Sequence, residues 1–351
     1  FTRTDTNFEA EMATVAVEKG PKAPEIPGSE VPTHQVELIW HCLLVALPPG
    51  DTLITSEHYG KSAWSNTAKI VVRKQDGKLH NYFVKIIAGE LAETRVLGEY
   101  SCMLELWKTM ANIVPRPLAY GRCQSIEASY YVSDYLEIDH RRPDAAKLGA
   151  KIAQLHRASK SPTGQFGFHV TPYDGKLPLV ADWDPSWVSF FGKLLKGVYQ
   201  HDIALNGYWK ELDDAMELVL TRAIPRLLGP LEENGRIVKP CLIHGDLWEE
   251  NIGTEPRTGD LYIFDSCAYY AHHEMAVGMW RVDHHNMTDQ EYRDQYFTNY
   301  EPDEPVEECD DRNRLYAVKE RIMYSAHKPG DRAREQALED MLYLIEKYVR
   351  N

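Results

Sequence analysis

Apolar and polar positions form strand-like runs up to about residue 136, and from Ala145 the spacing becomes helical. Lys69-Ile70-Val71-Val72-Arg73 and Tyr82-Phe83-Val84-Lys85-Ile86-Ile87 flank the turn Gln75-Asp76-Gly77-Lys78, which predicts a hairpin with Lys85 in the middle of its second strand. Leu97, Tyr100, Leu104 and Trp107 then recur at helical spacing until Pro115 and Pro117 stop the pattern. The predicted helix carries Glu99, fourteen residues beyond Lys85. Tyr130 to Leu136 reads as an apolar strand leaving into the polar stretch 137 to 143, which suits a hinge. Helices are predicted over 145 to 155, 187 to 199, 212 to 228 and 334 to 349, with a loop marked by proline and glycine at 161 to 185. Ahead of the strands, residues 36 to 47 predict a helix, and the polar residues before them, broken by Pro21, Pro24, Pro27 and Pro32, read as an extended arm.

Between the predicted helices stands the run His244-Gly245-Asp246-Leu247-Trp248-Glu249-Glu250-Asn251, and the apolar Leu261-Tyr262-Ile263-Phe264 is closed by Asp265. Phosphoryl transfer from ATP needs a carboxylate to orient the accepting hydroxyl and oxygen ligands for the magnesium that neutralises the phosphates. Asp246 and Asn251 stand at the Asp-x4-Asn spacing of a kinase catalytic loop, and Asp265 falls where a following strand carries a metal-binding aspartate. Pro256, Gly259 and Asp260 predict a hairpin between strands at 237 to 243 and 261 to 264, bringing Asn251 and Asp265 together. Lys85, paired with Glu99, is expected to hold the nucleotide phosphates. The backbone of Asp134, Tyr135 and Leu136 is expected to bond the adenine ring. The loop from His58 to Thr67, with Gly60 and Ser62, is the candidate cover over the phosphates, although it fits neither glycine-rich nucleotide pattern.

These residues resemble the fructosamine kinase family, the ketosamine 3-kinases, within the aminoglycoside phosphotransferase-like kinases. The resemblance rests on His-Gly-Asp-Leu-Trp-x-x-Asn at 244 to 251, on Asp265, and on Tyr269-Tyr270-Ala271-His272-His273-Glu274. Phe83-Val84-Lys85, Glu99, Val114-Pro115-Arg116-Pro117-Leu118, Leu148-Gly149, Leu155-His156, Phe166-Gly167-Phe168 and Trp187 with Phe190-Phe191 support it, from about residue 58 to about 300. It implies an α+β, two-lobed protein kinase-like fold: an arm over 1–35, a small antiparallel-sheet lobe with one main helix over 36–137, and a larger, mostly helical lobe over 138–351. It implies Asp246 as the residue that takes or orients the hydroxyl proton, Asn251 and Asp265 as magnesium ligands, Lys85 as a phosphate ligand, and Trp248 and Glu274 at the acceptor. His244 is expected to tie down the loop rather than act as a base. Trp248, uncommon in the wider kinases, points to a ketosamine acceptor, ribulosamine or fructosamine, free or on a glycated protein. Its alternative role is an aromatic brace of the loop. The chain departs from the family in having Gly60 alone in the first loop, Ala276 where relatives place an acid, and no proline after Asp265. A kinase for another small hydroxyl compound, aminoglycoside-like or choline-like, and a silent nucleotide-binding scaffold stay open.

Composition narrows the partners. A net charge of -14 over 351 residues, without a long basic run, argues against nucleic acid. No apolar stretch approaches the ~20 residues that cross a bilayer. The six cysteines, at 42, 102, 123, 241, 267 and 309, show neither metal nor disulfide spacing, which favours a reducing cytoplasm. Because the chain starts with Phe1, a removed targeting segment stays open. His272-His273 and Asp283-His284-His285 lack the partners of a metal site. Asp182, Trp183 and Asp184 read as a surface loop, with the lining of a sugar pocket as their alternative role, and the oligomeric state has no signature.

Overall fold

The computed structural model describes residues 50–59, 65–123 and 126–350. The expected arm, the helix at 36 to 47, and Gly60 and Ser62 lie outside them.

The described chain divides into two compact units, one ending at Val96 and resuming over Leu118–Tyr135, the other made of Leu97–Pro117 and Leu136–Asn351. The first unit holds a five-stranded sheet of β1 (Thr52–His58), β2 (Asn66–Arg73), β3 (Leu79–Ala88), β4 (Pro117–Arg122) and β5 (Ala128–Asp134), in the order β1-β2-β3-β5-β4. The hairpin predicted around Gly77 joins β2 to β3, pairing Thr67 with Lys85, and β3 pairs antiparallel with β5. Strand side chains alternate between faces, so Ala68, Ile70, Val72, Tyr82, Val84, Ile86, Tyr130 and Val132 fill one core. Lys85 stands on the opposite face with its register partners Thr67 and Tyr131. A slip of one residue would drive a lysine into that core, so hydrophobic burial fixes the register that presents Lys85. Cys123, just past β4, is disulfide-bonded, whereas Cys102, Cys241, Cys267 and Cys309 are free and buried. The expectation of unpaired thiols fails at Cys123, because pairing depends on proximity in space rather than on spacing along the chain.

The helix α1 (Ala92–Thr109) carries Glu99 and is followed in the second unit by α2 (Ala145–Ala158), α3 (Trp187–Asn206), α4 (Lys210–Leu218), α5 (Ile224–Leu228), α6 (Gln290–Asn299), α7 (Cys309–His327) and α8 (Ala333–Ile345). Asp144 caps α2 by accepting the Lys147 amide at 2.8 Å. Ser186 caps α3 by accepting the Ser189 amide at 3.3 Å, and Asp184, buried rather than on a surface loop, accepts from the Ser186 amide and the Ser189 hydroxyl. Gly149 lets α2 and α6 cross closely, since a Cβ there would stand 2.6 Å from the Gln295 carbonyl carbon. Trp187, Phe190 and Phe191 of α3 pack with Tyr269 and Tyr316, and the Trp187 indole donates to the Tyr316 hydroxyl at 3.0 Å.

Small strand pairs finish this unit: β6 (Tyr173–Asp174) with β7 (Leu177–Pro178), β8 (Cys241–Ile243) with β11 (Tyr269–Ala271), and β9 (Ile252–Thr254) with β10 (Leu261–Ile263). This corrects the expected pairing. The partner of Leu261–Ile263 is the short strand after Asn251, and Ile237, expected in a strand, is 90% exposed. The turn at 255 to 260 closes the β9–β10 hairpin instead of spanning the catalytic loop. Among the described residues, no helix is long and apolar enough to cross a membrane.

Candidate active site

The loop between β8 and β9 and the residue pair closing β10 carry two unusual backbone positions. Gly245 has φ +87°, and a Cβ there would come within 2.4 Å of the Cys267 carbonyl oxygen, so only glycine fits. Asp265 holds φ +59° without being glycine, a strained geometry of the kind that gathers at functional sites. The short helical turn Glu249–Asn251 then delivers Asn251 to the start of β9.

His244 locks this arrangement. Its Nδ1 accepts the Asp246 amide at 3.3 Å and its Nε2 donates to the Phe264 carbonyl at 2.9 Å, a pattern that only the neutral ring satisfies. Burial pushes its pKa down to about 4. The tying role expected of His244 is the one its geometry performs. Asn251 donates through Nδ2 both to the Asp246 carboxylate, at 2.8 Å, and to the Asp246 carbonyl, at 2.9 Å. Its Oδ1 is therefore turned away from Asp246. β10 closes on β9 with Ile263 opposite Ile252, and the Phe264 amide donates to the Asn251 carbonyl at 3.1 Å, so Asp265 follows directly. The fixed spacing of the motif thus brings Asp246, Asn251 and Asp265 to one end of the hairpin.

Asp246 is half-buried among charge that the sequence did not announce. Burial raises its pKa well above the usual carboxylate range, and Asp174 and Glu320 add to the rise. Asp174 comes from the β6–β7 hairpin. Although burial opposes its ionisation, His327 at 3.1 Å and Lys319 hold it ionised. Lys319 is fully buried, bonds Glu320 at 2.9 Å, and is kept charged by Glu320, Tyr269 and Asp174 against the cost of desolvation. Ala276 and Glu320 line one cavity of about 10 Å³ with His244, Gly245 and Leu247, so a carboxylate reaches this place from α7 rather than from residue 276. Hard oxygen donors in a locally acidic setting suit a magnesium ion, and Asn251 Oδ1 with the Asp265 carboxylate are the groups that would hold it.

Other expected residues fall differently. Lys85 is buried on β3 in the first unit, and Glu99 is half-buried on α1 in the second. The Tyr135 amide donates to the Asn81 carbonyl at 3.2 Å and its ring meets Tyr59 and Lys69, so at Tyr135 the adenine expectation rests on the carbonyl, alongside the backbone of Asp134 and Leu136. Trp248 is half-exposed, with its ring 5.1 Å from that of His285, and is no core residue. Glu274, expected at the acceptor, is fully buried, with its two oxygens taken by Arg312 at 2.7 and 2.8 Å and one also by the Asp303 amide. Its role is corrected to a buried ion pair, because no face of it reaches solvent. His272, His273 and Glu274 bring ligand atoms within 4.8 Å of one another, but Tyr316, Asp303, Tyr296 and Arg312 already engage them.

A model of the fructosamine kinase family matches residues 62–343. The chloroplastic protein-ribulosamine 3-kinase of Arabidopsis thaliana is 31% identical over 182 residues, 52% of this chain and 53% of that protein. The chain thus spans about half the length of the first curated relatives it matches. In fold it is similar to a chain described as a fructosamine-3-kinase from Haemophilus somnus 129PT, with a TM-score of 0.65, 17% identity, and 84% and 92% of the two chains covered. A thermostable mutant of aminoglycoside phosphotransferase APH(4)-Ia, in a complex with AMP-PNP and hygromycin B, gives 0.56 at 12% identity, covering 84% and 94%. These likenesses show an α+β, kinase-like fold. With the family match running across both units and through the Asp246 loop, the chain belongs to the fructosamine kinase family.

Proposed function

We propose that this chain is an ATP- and magnesium-dependent kinase that phosphorylates the 3-hydroxyl of a ketosamine, ribulosamine or fructosamine, free or on a protein lysine. The observation that carries the reading is the Asn251 clamp on Asp246, which fixes a carboxylate and an amide oxygen beside Asp265 in a chain of this family.

Asp246 accepts the proton of the attacking hydroxyl as its oxygen bonds the γ-phosphorus and ADP departs. A carboxylate raised towards neutrality by burial and neighbouring acids accepts that proton more readily than a surface aspartate. Asn251 Oδ1 and Asp265 would hold magnesium, which would supply neutralisation of the phosphate charge. Lys85, Glu99, Gly60 and Ser62 are assigned to the nucleotide phosphates, and the backbone of Asp134, Tyr135 and Leu136 to the adenine. Trp248 presents its ring to the sugar.

The name of the Arabidopsis relative supports a ribulosamine acceptor, and the AMP-PNP complex of the phosphotransferase neighbour supports ATP as donor. The absence of nucleic-acid and membrane partners belongs to the same proposal, whereas the disulfide at Cys123 removes the cysteine argument for a reducing cytoplasm. Labelled phosphate transfer from ATP to ribulose-lysine and fructose-lysine tests the reading. Transfer that needs magnesium supports it, and transfer only to an aminoglycoside or choline overturns the acceptor.

A further inference from the structure

Beside the candidate acceptor residue Trp248 lies a group that neither the catalytic loop nor the fold uses. His285 is 8% exposed, yet neither of its ring nitrogens has a hydrogen-bond partner. Its ring packs against Trp248, with centroids 5.1 Å apart, and against His284 at 3.9 Å. Leaving a buried polar atom unpaired is destabilising, and most folds avoid it.

The segment carrying His285 is tied to the catalytic loop rather than placed there by chance. The Asn286 amide donates to Glu249 Oε1 at 3.0 Å, and Glu249 directly follows Trp248. The second Glu249 oxygen is itself buried without a partner. Two segments clamped together therefore hold an aromatic face beside a buried imidazole and a buried carboxylate oxygen whose hydrogen-bonding capacity the protein does not use. The imidazole pKa is pushed down to about 3, first by burial and then by His284, which keeps one nitrogen a donor and the other an acceptor. Asp174 acts electrostatically on both His285 and Asp246, placing the three in one neighbourhood. A polyol matches this set, since each hydroxyl both donates and accepts while its C–H face packs on an indole.

We propose that His285 is an acceptor-binding residue: with Trp248 it forms one wall of the sugar pocket, its ring nitrogens bonding hydroxyls of a polyhydroxylated acceptor. The inference rests on the ketosamine reading above.

Calorimetric titration of ribulose-lysine into the protein with MgADP bound tests it, comparing wild type with His285→Phe and His285→Asn. The Phe ring preserves the packing on Trp248 and removes the nitrogens. It is expected to raise the acceptor Kd about tenfold, with the MgADP Kd within about twofold and Tm unchanged or higher, because an unpaired buried polar group has been removed. The Asn variant restores a donor and an acceptor and should recover part of the loss. Unchanged acceptor affinity in His285→Phe overturns the inference, as does a parallel loss of acceptor and MgADP affinity with a lower Tm. Absence of ribulose-lysine binding by wild type sinks the ketosamine reading and this inference with it, whereas wild-type binding with an indifferent Phe variant sinks the inference alone. If neither variant folds, a wild-type crystal structure with ribulose-lysine and MgADP decides, and no acceptor oxygen within about 3.2 Å of a His285 nitrogen contradicts the proposal.

Discussion

Asn251 grips Asp246 twice, its amide nitrogen donating to the carboxylate at 2.8 Å and to the main-chain carbonyl at 2.9 Å. One side chain thereby orients the proposed proton acceptor and aims its own oxygen elsewhere, towards the role of a metal ligand. Asn251→Ala should lower kcat by about a hundredfold or more and raise the magnesium concentration needed for half-maximal rate. A rate loss with an unchanged magnesium requirement would remove the ligand role.

Asp246→Asn separates activity from stability. The folded-state pKa of Asp246 lies above its unfolded value, so as pH rises past about 3.9 its ionisation works against folding. The asparagine should abolish turnover by orders of magnitude, leave MgATP binding nearly intact, and raise Tm in EDTA at neutral pH by about 2–4 °C. Differential scanning calorimetry reads the last effect, and a lower Tm would mean that the carboxylate is not under repulsion.

Glu274→Ala is expected to act on stability. Removing it leaves Arg312 buried with no carboxylate partner, at a cost of about 3–5 kcal/mol. Urea unfolding measures this, and a variant of full stability with a raised acceptor KM would restore the substrate role.

Lys85→Met should leave the sheet intact, because Lys85 lies on the face opposite the core formed by Val84 and Ile86. The proposal predicts a fall in kcat/KM for MgATP of about a hundredfold or more with far-UV circular dichroism unchanged. A near-normal value would place the phosphates elsewhere.

Acid should weaken the fold well above the carboxylate range. His244 is held near 4, and His156 and His285 near 3, all below the ~6.5 of an unfolded histidine, chiefly through burial. Between about pH 6.5 and 4 the unfolded chain binds protons that the folded chain refuses, so stability is lost as pH falls, by up to about 1.4 kcal/mol per pH unit for each imidazole. His273 and His284 act in the same direction, and the five outnumber Asp202, Asp246 and Glu320, which are shifted the opposite way. The urea midpoint should drop from pH 7 to pH 5, and a midpoint that holds or rises would contradict the assignment of neutral buried rings.

What the sequence discloses is what depends on local spacing. The loop from His244 to Asn251, the β2–β3 hairpin with Lys85, and α1 to α3 follow from turn residues and periodicity alone, with ends displaced by a few residues. Strand partners do not follow in this way: β8 is too short to declare that it pairs with β11 rather than β10. α7 was unmarked because Arg312, Lys319, Glu320 and Arg321 point inward, which erases the apolar stripe by which a buried helix is recognised. Glu274 is hidden for the same reason, since a carboxylate beside two histidines gives no sign of the Arg312 waiting 38 residues on. In the sequence His285 is only one member of a histidine cluster, and its unpaired nitrogens are visible only once Trp248 stands beside it.

The most direct test is the position of the phosphate. Wild-type protein incubated with MgATP and ribulose-lysine should yield a product whose phosphorus–proton correlation in NMR places the phosphate on O3, and Asp246→Asn should yield none. Phosphate on another oxygen, no product from any ketosamine, or equal product from the Asp246→Asn protein would contradict the account.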